Sequence, residues 1–469
     1  MIQEILPQIF VQSFLVLTIV GIILCSLDDL FIDFVSLMHN LQPDRLDPKG
    51  LAKLAGLKEK KIAIIVANWH EDEVISAMIR GNLNQVKYSN YTIFLGVYPN
   101  DLETWAEAKK LEKEFSQVQV VVNSLPGPTS KGQMLNQIVH AILKWNQHCA
   151  DENASEGKLM ECYDLIMMQD SEDVLHPLAL QVANQAADEN DFVQFPVFSF
   201  ERKATDFIGG SYLDEFAEVH LRDLLVRAKI GAAIPSAGVG TMIGLPLAAR
   251  IVAAQGDLFM DSSLTEDYVL GLSVHKWQGR SSFRCLYQTR PDGSKDFIAT
   301  REYFPNQLGA SIRQKTRWTV GIVFQSTALI DGPMTLPNVF FFLRDKKGLV
   351  SGFTFFFNLL TLFLTILFPQ ELGSLADPLL YFSISMIAWR TFRTFRYTLM
   401  LSNWKQAFLS LFRQPVRSFI NSWAAVRATY QYSQHLRTKE SLKWEKTKHL
   451  LPEGFGNTPT PPPAIEVSQ

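Results

Sequence analysis

Charge is scarce in this chain and is not gathered into one sign. Asp, Glu, Lys and Arg make up 19 % of its 469 residues, where a soluble protein usually carries about a quarter. The charges nearly cancel, at a formal −3, so no broad basic field exists and no nucleic acid is expected as a partner. Cysteine is scarcer still: Cys25, Cys149, Cys162 and Cys285, with no C-x-x-C pair among them. That spacing argues against a zinc site and against a disulfide framework, and the four read as free buried thiols in a reducing compartment. No Walker sequence is present, because "GPTSKG" lacks the spacing. "GVGTMIG" (238–244) runs G-x-G-x-x-x-G without a clear strand–helix unit around it, which sets dinucleotide binding aside.

What is present is apolar. Hydrophobic residues reach 47 %, with Phe occurring 33 times. Between Glu4 and Asp28 lies "ILPQIFVQSFLVLTIVGIILCSL", free of charge and long enough to cross a bilayer, which takes roughly 20 residues. It has no basic n-region and no small-residue cleavage site, so it reads as an uncleaved anchor. A second uncharged run lies between Lys347 and Glu371. A third, "PLLYFSISMIAW" (378–389), is short, but Arg390, Arg393 and Arg396 follow it and long basic side chains snorkel to the interface.

Lys and Arg are missing from residues 1–9 and from the 369–377 loop, while twelve lie between Arg390 and Leu450. The positive-inside rule then puts the N-terminus and that loop outside, with residues 40–345 and the C-terminus in the cytoplasm of a multi-pass membrane protein. Three spans satisfy this arrangement. Residues 28–41 and 404–432, the latter interrupted at Pro415, read as interfacial helices, and "RQPVR" (413–417) as membrane-facing charge. The expected division is 1–45 (anchor and interfacial helix), 46–335 (cytoplasmic domain), 336–435 (membrane and interfacial helices) and 436–469 (basic, Pro-rich and disordered tail).

Within 46–335, short β-branched runs at 61–69, 91–101, 117–128 and 163–173 alternate with helical stretches at 72–86, 101–115 and 131–148. This order predicts an α/β fold with a mostly parallel sheet. Ligands of such sheets bind beyond the carboxyl ends of the strands, and polar clusters stand at those ends. "MMQDSED" closes the fourth run with Asp170, Glu172 and Asp173. Carboxylates this close ionise together readily only around a divalent cation; the plainer reading is a solvated turn before a helix opening near Pro177. In "SSLTEDYVLG", Asp267 suits a general base, against a simple capping box of Ser263 and Glu266. In "RQKTRWTVG", Gln314, Arg317 and Trp318 share a helical face fit for gripping phosphate and stacking on a sugar, or for lying at headgroup level. His70, His176 and His220 stand singly and read as packed or capping residues.

Taken in order, these segments resemble family 2 glycosyltransferases of the GT-A fold, the membrane-embedded kind related to cellulose and hyaluronan synthases. "ANWHE" looks like the opening Pro-x-Tyr-Asn-Glu motif, "SKGQMLN" like Lys-Gly/Ala-x-x-Leu-Asn, "DSE" stands at D-x-D, "TED" matches the catalytic motif and "QKTRW" matches Gln-x-x-Arg-Trp. "GSYLDEFAEVHLRDLLVR", "IPSAGVGT" and "TREYFPNQLGASIRQKTRW" look like a bacterial inner-membrane group tied to phage adsorption and a secreted polysaccharide.

The resemblance implies an inverting transferase that moves a sugar from a nucleoside diphosphate sugar, a UDP-sugar, to a glycan or lipid-linked acceptor. It implies donor contacts from Ala67, Trp69, Glu71, Asp101, Lys131, Asn136, Asp170, Glu172, Gln314 and Arg317, with Asp170 and Glu172 holding Mg²⁺ or Mn²⁺. Asp267 and Glu266 fall to catalysis, and Trp318, Gly240 and Thr241 to the acceptor. Membrane lipids, an outer-membrane export partner, and cyclic di-GMP acting through a separate domain or protein are the further partners implied. Two departures stand out: the second strand ends "GVYPND" where the family has an Asp pair, leaving Asp101 as substitute, and the metal motif has Glu at its second acidic place. A catalytically inactive scaffold or phage-receptor component, and a lipid-linked single-sugar transferase, are the rival readings.

Overall fold

A computed structural model describes residues 2–155, 160–329, 335–367, 376–440 and 450–456 of the chain. Its centre is a seven-stranded sheet in the order Ser281–Phe283, Phe192–Gln194, Thr241–Gly244, Leu165–Gln169, Ile62–Ala67, Tyr91–Val97, Val118–Val122. Thr241–Gly244 runs antiparallel to both neighbours, and the other pairings are parallel. The inner strands are apolar without interruption because both faces are covered. In Ile62–Ala67, Ile62, Ile64 and Val66 enter one core cluster, while Ala63 and Ile65 enter another on the opposite face, as the two-residue period of a strand requires. "GVGTMIG" feeds the antiparallel strand, a setting unlike that of a dinucleotide fingerprint.

The helices Ile75–Gln85, Leu102–Glu114 and Lys131–Ser155 fall where the sequence pattern puts them. One expectation about cysteine fails: Cys149 and Cys162 form a disulfide, their Cα atoms 5.9 Å apart. Cys149 lies on the Lys131–Ser155 helix and Cys162 just before the strand Leu165–Gln169, a juxtaposition that only tertiary packing creates. Cys25 and Cys285 are free.

The expected anchor and its interfacial neighbour are one continuous helix, Ile2–Met38. Among the described residues one segment, Gln12–Met38, is long and apolar enough to cross a membrane. The second and third apolar runs lie on the helices Leu336–Leu367 and Ala376–Leu401; residues 368–375, which hold most of the expected outer loop, fall outside the described residues, as do 441–449 and the Pro-rich 457–469. The acids of "DDLFID" face other helices. Asp29 meets Arg344 at 2.7 Å and Arg393 at 3.1 Å, Asp28 meets Lys347 at 2.8 Å, and Asp33 meets Arg222 at 2.8 Å. Arg393 is therefore buried in ion pairs and does not snorkel.

The helix Trp404–Thr438 passes through Pro415 without a break. Its arginines correct a second expectation: Arg413 and Arg417 are buried and face the domain. Arg413 grips Asp214 in a fork, 2.8 Å from Nε to Oδ2 and 2.7 Å from Nη2 to Oδ1, and Arg417 meets Glu218 at 3.0 Å. Both pairs are spaced i, i+4 and so share one face of each helix. The amphipathic pattern was legible, with Trp404, Phe408, Phe412 and Trp423 exposed, but nothing in it says that the arginines have buried partners on another helix.

Removing one member of such a pair strands a buried charge, which costs about 3–5 kcal/mol, whereas replacing both by apolar groups is often close to neutral. Arg413→Met should thus lower the thermal unfolding midpoint of detergent-solubilised protein markedly, and Asp214→Leu with Arg413→Met should recover most of the loss; equal midpoints for the single and double variants would contradict this.

Candidate active site

The sheet's carboxyl edge opens on a cavity of about 480 Å³. Ile62–Ala67 and Leu165–Gln169 are neighbours in register, with Val66 opposite Gln169, so "ANWHE" and "DSED" leave the sheet side by side. Ala67, Trp69 and Glu71 line the cavity from the first, and Asp170 and Glu172 from the second. Lys131, the first residue of its helix, reaches across and meets Asp170 at 2.5 Å. Burial works against the Lys131 ammonium, but Asp170, Glu266 and Asp267 outweigh it and hold its pKa above the usual value.

The turn 170–173 is not solvated. Ser171, Glu172 and Asp173 are buried. Asp173 Oδ2 accepts the backbone N–H of Asp170 at 2.6 Å, so the third carboxylate shapes the turn from behind. Burial, together with Glu302, Asp170 and Glu172, holds its carboxyl well above the ordinary range.

The "TED" segment opens the helix Glu266–Ser273. The expected capping box does not form: Ser263 Oγ accepts the N–H of Thr265 at 3.1 Å, and Glu266 lines the cavity. Burial, then the neighbouring Asp267, push the Glu266 carboxyl up to about 7 against the pull of Lys131. Burial also raises Asp267, again opposed by Lys131. Gly238 lies close against Asp267: a Cβ there would stand 2.7 Å from Oδ2, and its φ of +82° suits glycine besides.

Gln314, Arg317 and Trp318 project into the cavity from the helix Leu308–Thr319. The same helix buries Lys315, which pairs with Glu215, so it is packed within the protein rather than laid in headgroups. Trp318 stands edge-on to Tyr212 and Phe304, with ring centroids 6.3 Å away in each case, leaving it half-buried at the cavity wall.

Four expected site residues lie elsewhere. Asp101, 2 % exposed, caps the helix Leu102–Glu114 and accepts the N–H of His70 at 2.6 Å; a short acceptor after a strand serves a helix N-terminus as readily as a ribose. Asn136 is bonded both ways to the backbone of Phe259, donating at 2.8 Å and accepting at 2.9 Å. Gly240 and Thr241 sit in the sheet, the Thr241 hydroxyl 2.7 Å from Ser236 Oγ and 2.8 Å from Gln194 Oε1. Gly238 and Val239 meet the cavity in their place, two residues earlier in the same glycine turn. Glu302, another wall residue, was missed; it belongs to "TREYF", which carries no chemistry by itself. Phe216, Leu224, Ile322 and Phe341 also line the cavity, as do Arg227 and Asp345, which pair at 2.8 Å.

Among the described residues no three His, Cys, Asp or Glu side chains form a protein-only metal cage. Mg²⁺ and Mn²⁺ do not need one: they take oxygen donors, usually one or two carboxylates completed by phosphates and water. Asp170 and Glu172 supply that donor type, in a wall where Glu71, Glu266, Asp267 and Glu302 add further negative charge. The residues present therefore fit such an ion.

The family described as "Glycosyltransferase like family 2" matches residues 60–321. Bacteriophage adsorption protein B of Escherichia coli (strain K12) is 32 % identical to this chain across 92 % of it, and Bacteriophage N4 adsorption protein B of Escherichia coli O157:H7 gives the same figures. The chain spans 61 % of the length of these relatives. Among solved structures, the mannosyltransferase PcManGT from Pyrobaculum calidifontis, in complex with GDP-Man and Mn²⁺, is similar in fold. The TM-score is 0.51 at 12 % identity, covering 87 % of this chain and 99 % of that one. The family match spans more than half of the chain and takes in every motif gathered at the cavity: the chain belongs to glycosyltransferase family 2 and has the GT-A fold.

Proposed function

We propose that the chain transfers a sugar from a UDP-sugar to a growing glycan with inversion at the anomeric carbon, in the synthesis and export of a bacterial surface polysaccharide. One observation carries this reading: Asp170 and Glu172, the Lys131 ammonium, the raised Asp267 carboxyl, and the Gln314–Arg317–Trp318 face all open on one cavity. Asp170 and Glu172 would hold Mg²⁺ or Mn²⁺, which when bound supplies Lewis-acid stabilisation to the departing diphosphate; the fold neighbour is a complex with GDP-Man and Mn²⁺.

The remaining work belongs to the chain itself. Ala67, Trp69 and Glu71 flank the nucleoside. Asp267 takes the proton of the acceptor hydroxyl as its oxygen bonds to the anomeric carbon and the bond to the diphosphate breaks. Burial, which lifts both Asp267 and Glu266, makes the base stronger than an exposed carboxylate. Arg317 and Gln314 hydrogen-bond the leaving diphosphate, and Trp318 offers its ring to the acceptor sugar.

We place the chain in the inner membrane with three spans, its N-terminus outside and residues 46–335 in the cytoplasm. Lipids would surround its helices, an outer-membrane partner would take the product, and cyclic di-GMP would act through a separate domain or protein. Transfer of a single sugar to a lipid-linked acceptor is a second reading, favoured by the apolar side chains of Phe216, Leu224, Ile322 and Phe341 in the cavity lining.

Membrane preparations given nucleotide sugars and Mn²⁺ should release UDP, and Asp267→Asn should slow that release by about 10²–10⁴-fold, the usual worth of a general base, while donor binding by calorimetry persists. Normal turnover in this variant would remove Asp267 from its role. Asp170→Asn and Glu172→Gln should raise the Mn²⁺ concentration needed for half-maximal release; an unchanged metal dependence in both would remove the pair as ligands. Because a carboxylate base works only when ionised and burial raises both acids, the wild-type rate should fall on acidification while the pH is still above the ordinary carboxylate range. A rate that stays flat down to that range would show that no raised carboxyl limits the reaction.

A further inference from the structure

The turn that carries Asp170 and Glu172 is held by the helix Ile75–Gln85. Asn82, buried on that helix, donates from Nδ2 to the carbonyl of Asp173 at 2.7 Å and accepts on Oδ1 the N–H of Leu175 at 2.9 Å. With Asp173 in turn accepting the N–H of Asp170 at 2.6 Å, hydrogen bonds run without a gap from the helix to the turn that carries the acids.

A segment of the chain's own tail covers the helix one residue away. Residues 450–456 fold into a turn, Phe455 N–H donating to the carbonyl of Pro452 at 3.0 Å. The Phe455 ring occupies the space that a side chain at Gly81 would fill, and Gly456 lies over Ala77, one helical turn earlier, where an added Cβ would stand 2.5 Å from the Ala77 carbonyl oxygen. One glycine on each partner thus makes the contact possible, and φ of +87° at Gly456 is a further reason for glycine there. Leu451 packs on the core cluster that contains Met78, Ile79 and Leu175.

We propose that residues 450–456 are a strap that fixes the helix Ile75–Gln85, and that Asn82 is the positioning residue through which the strap sets the Asp170–Glu172 turn. This rests on the reading of those two acids as the cation pair.

The test uses the full chain in detergent, as wild type, Phe455→Ala, Gly81→Leu and Asn82→Ala. Hydrogen exchange at residues 170–175 should quicken in all three variants, on the order of tenfold, the size a typical single substitution carries. Exchange in 62–67 and the melting midpoint of Phe455→Ala should stay at wild-type values, and titration with Mn²⁺ alone should show weaker binding. Wild-type exchange at 170–175 in both Phe455→Ala and Gly81→Leu would overturn the strap. Asp170→Asn in the same Mn²⁺ titration separates the two ideas: if it binds like wild type, the cation reading falls, and with it the strap's link to the cation, whatever the exchange result.

Discussion

The active cavity depends on compensating negative charge at the carboxyl edge of the sheet. Asp170, Glu172, Glu266 and Asp267 line one wall, and carboxylates placed together away from water resist ionising together. Lys131 is the chain's own answer, 2.5 Å from Asp170 and attracted to both acids of the "TED" segment. Arg317 adds a second cation that pulls on Glu266 and Asp267, and a wall this rich in carboxylate oxygen is of the donor type that suits a doubly positive ion. Lys131 also begins a helix that buries Leu135, Ile138, Val139 and Ile142 in the core, so the charge at the mouth and the packing of the core are set by the same element.

Around this centre the protein uses the same chemistry for two purposes. At the cavity, side-chain charge faces an open space. At the junction of domain and bundle it is matched: Asp28, Asp29 and Asp33 against Arg344, Lys347, Arg222 and Arg393, and Asp214 and Glu218 against Arg413 and Arg417. Buried pairs of this kind are weak evidence for stability, but each is costly to break from one side.

The sheet was legible because its strands are buried on both faces and read as unbroken apolar runs, and the cavity motifs because they stand at the ends of those runs. Asp170, Glu172, Asp267, Gln314, Arg317 and Trp318 come together from sequence-distant places as their resemblance to a family pattern implied. The departures from the expected placement have one physical origin. Asp101 and Asn136 are polar residues near strand or helix ends whose partners are backbone groups, Thr104 and His70 for the first and Phe259 for the second. Arg413 and Arg417 read as lipid-facing because sequence gives the periodicity of a helix but not the neighbour opposite each face. The Cys149–Cys162 bridge escaped for the same reason: the residues meet only because a long helix doubles back beside a strand.

The repeated four-residue spacing of Asp214 and Glu218 opposite Arg413 and Arg417 acts like a two-pin key. A slip of the long helix Trp404–Thr438 by a single turn, about 5.4 Å along its axis, would align one pin and part the other buried pair. Only one seating fills both holes, so the two pairs together oppose sliding of that helix along the domain.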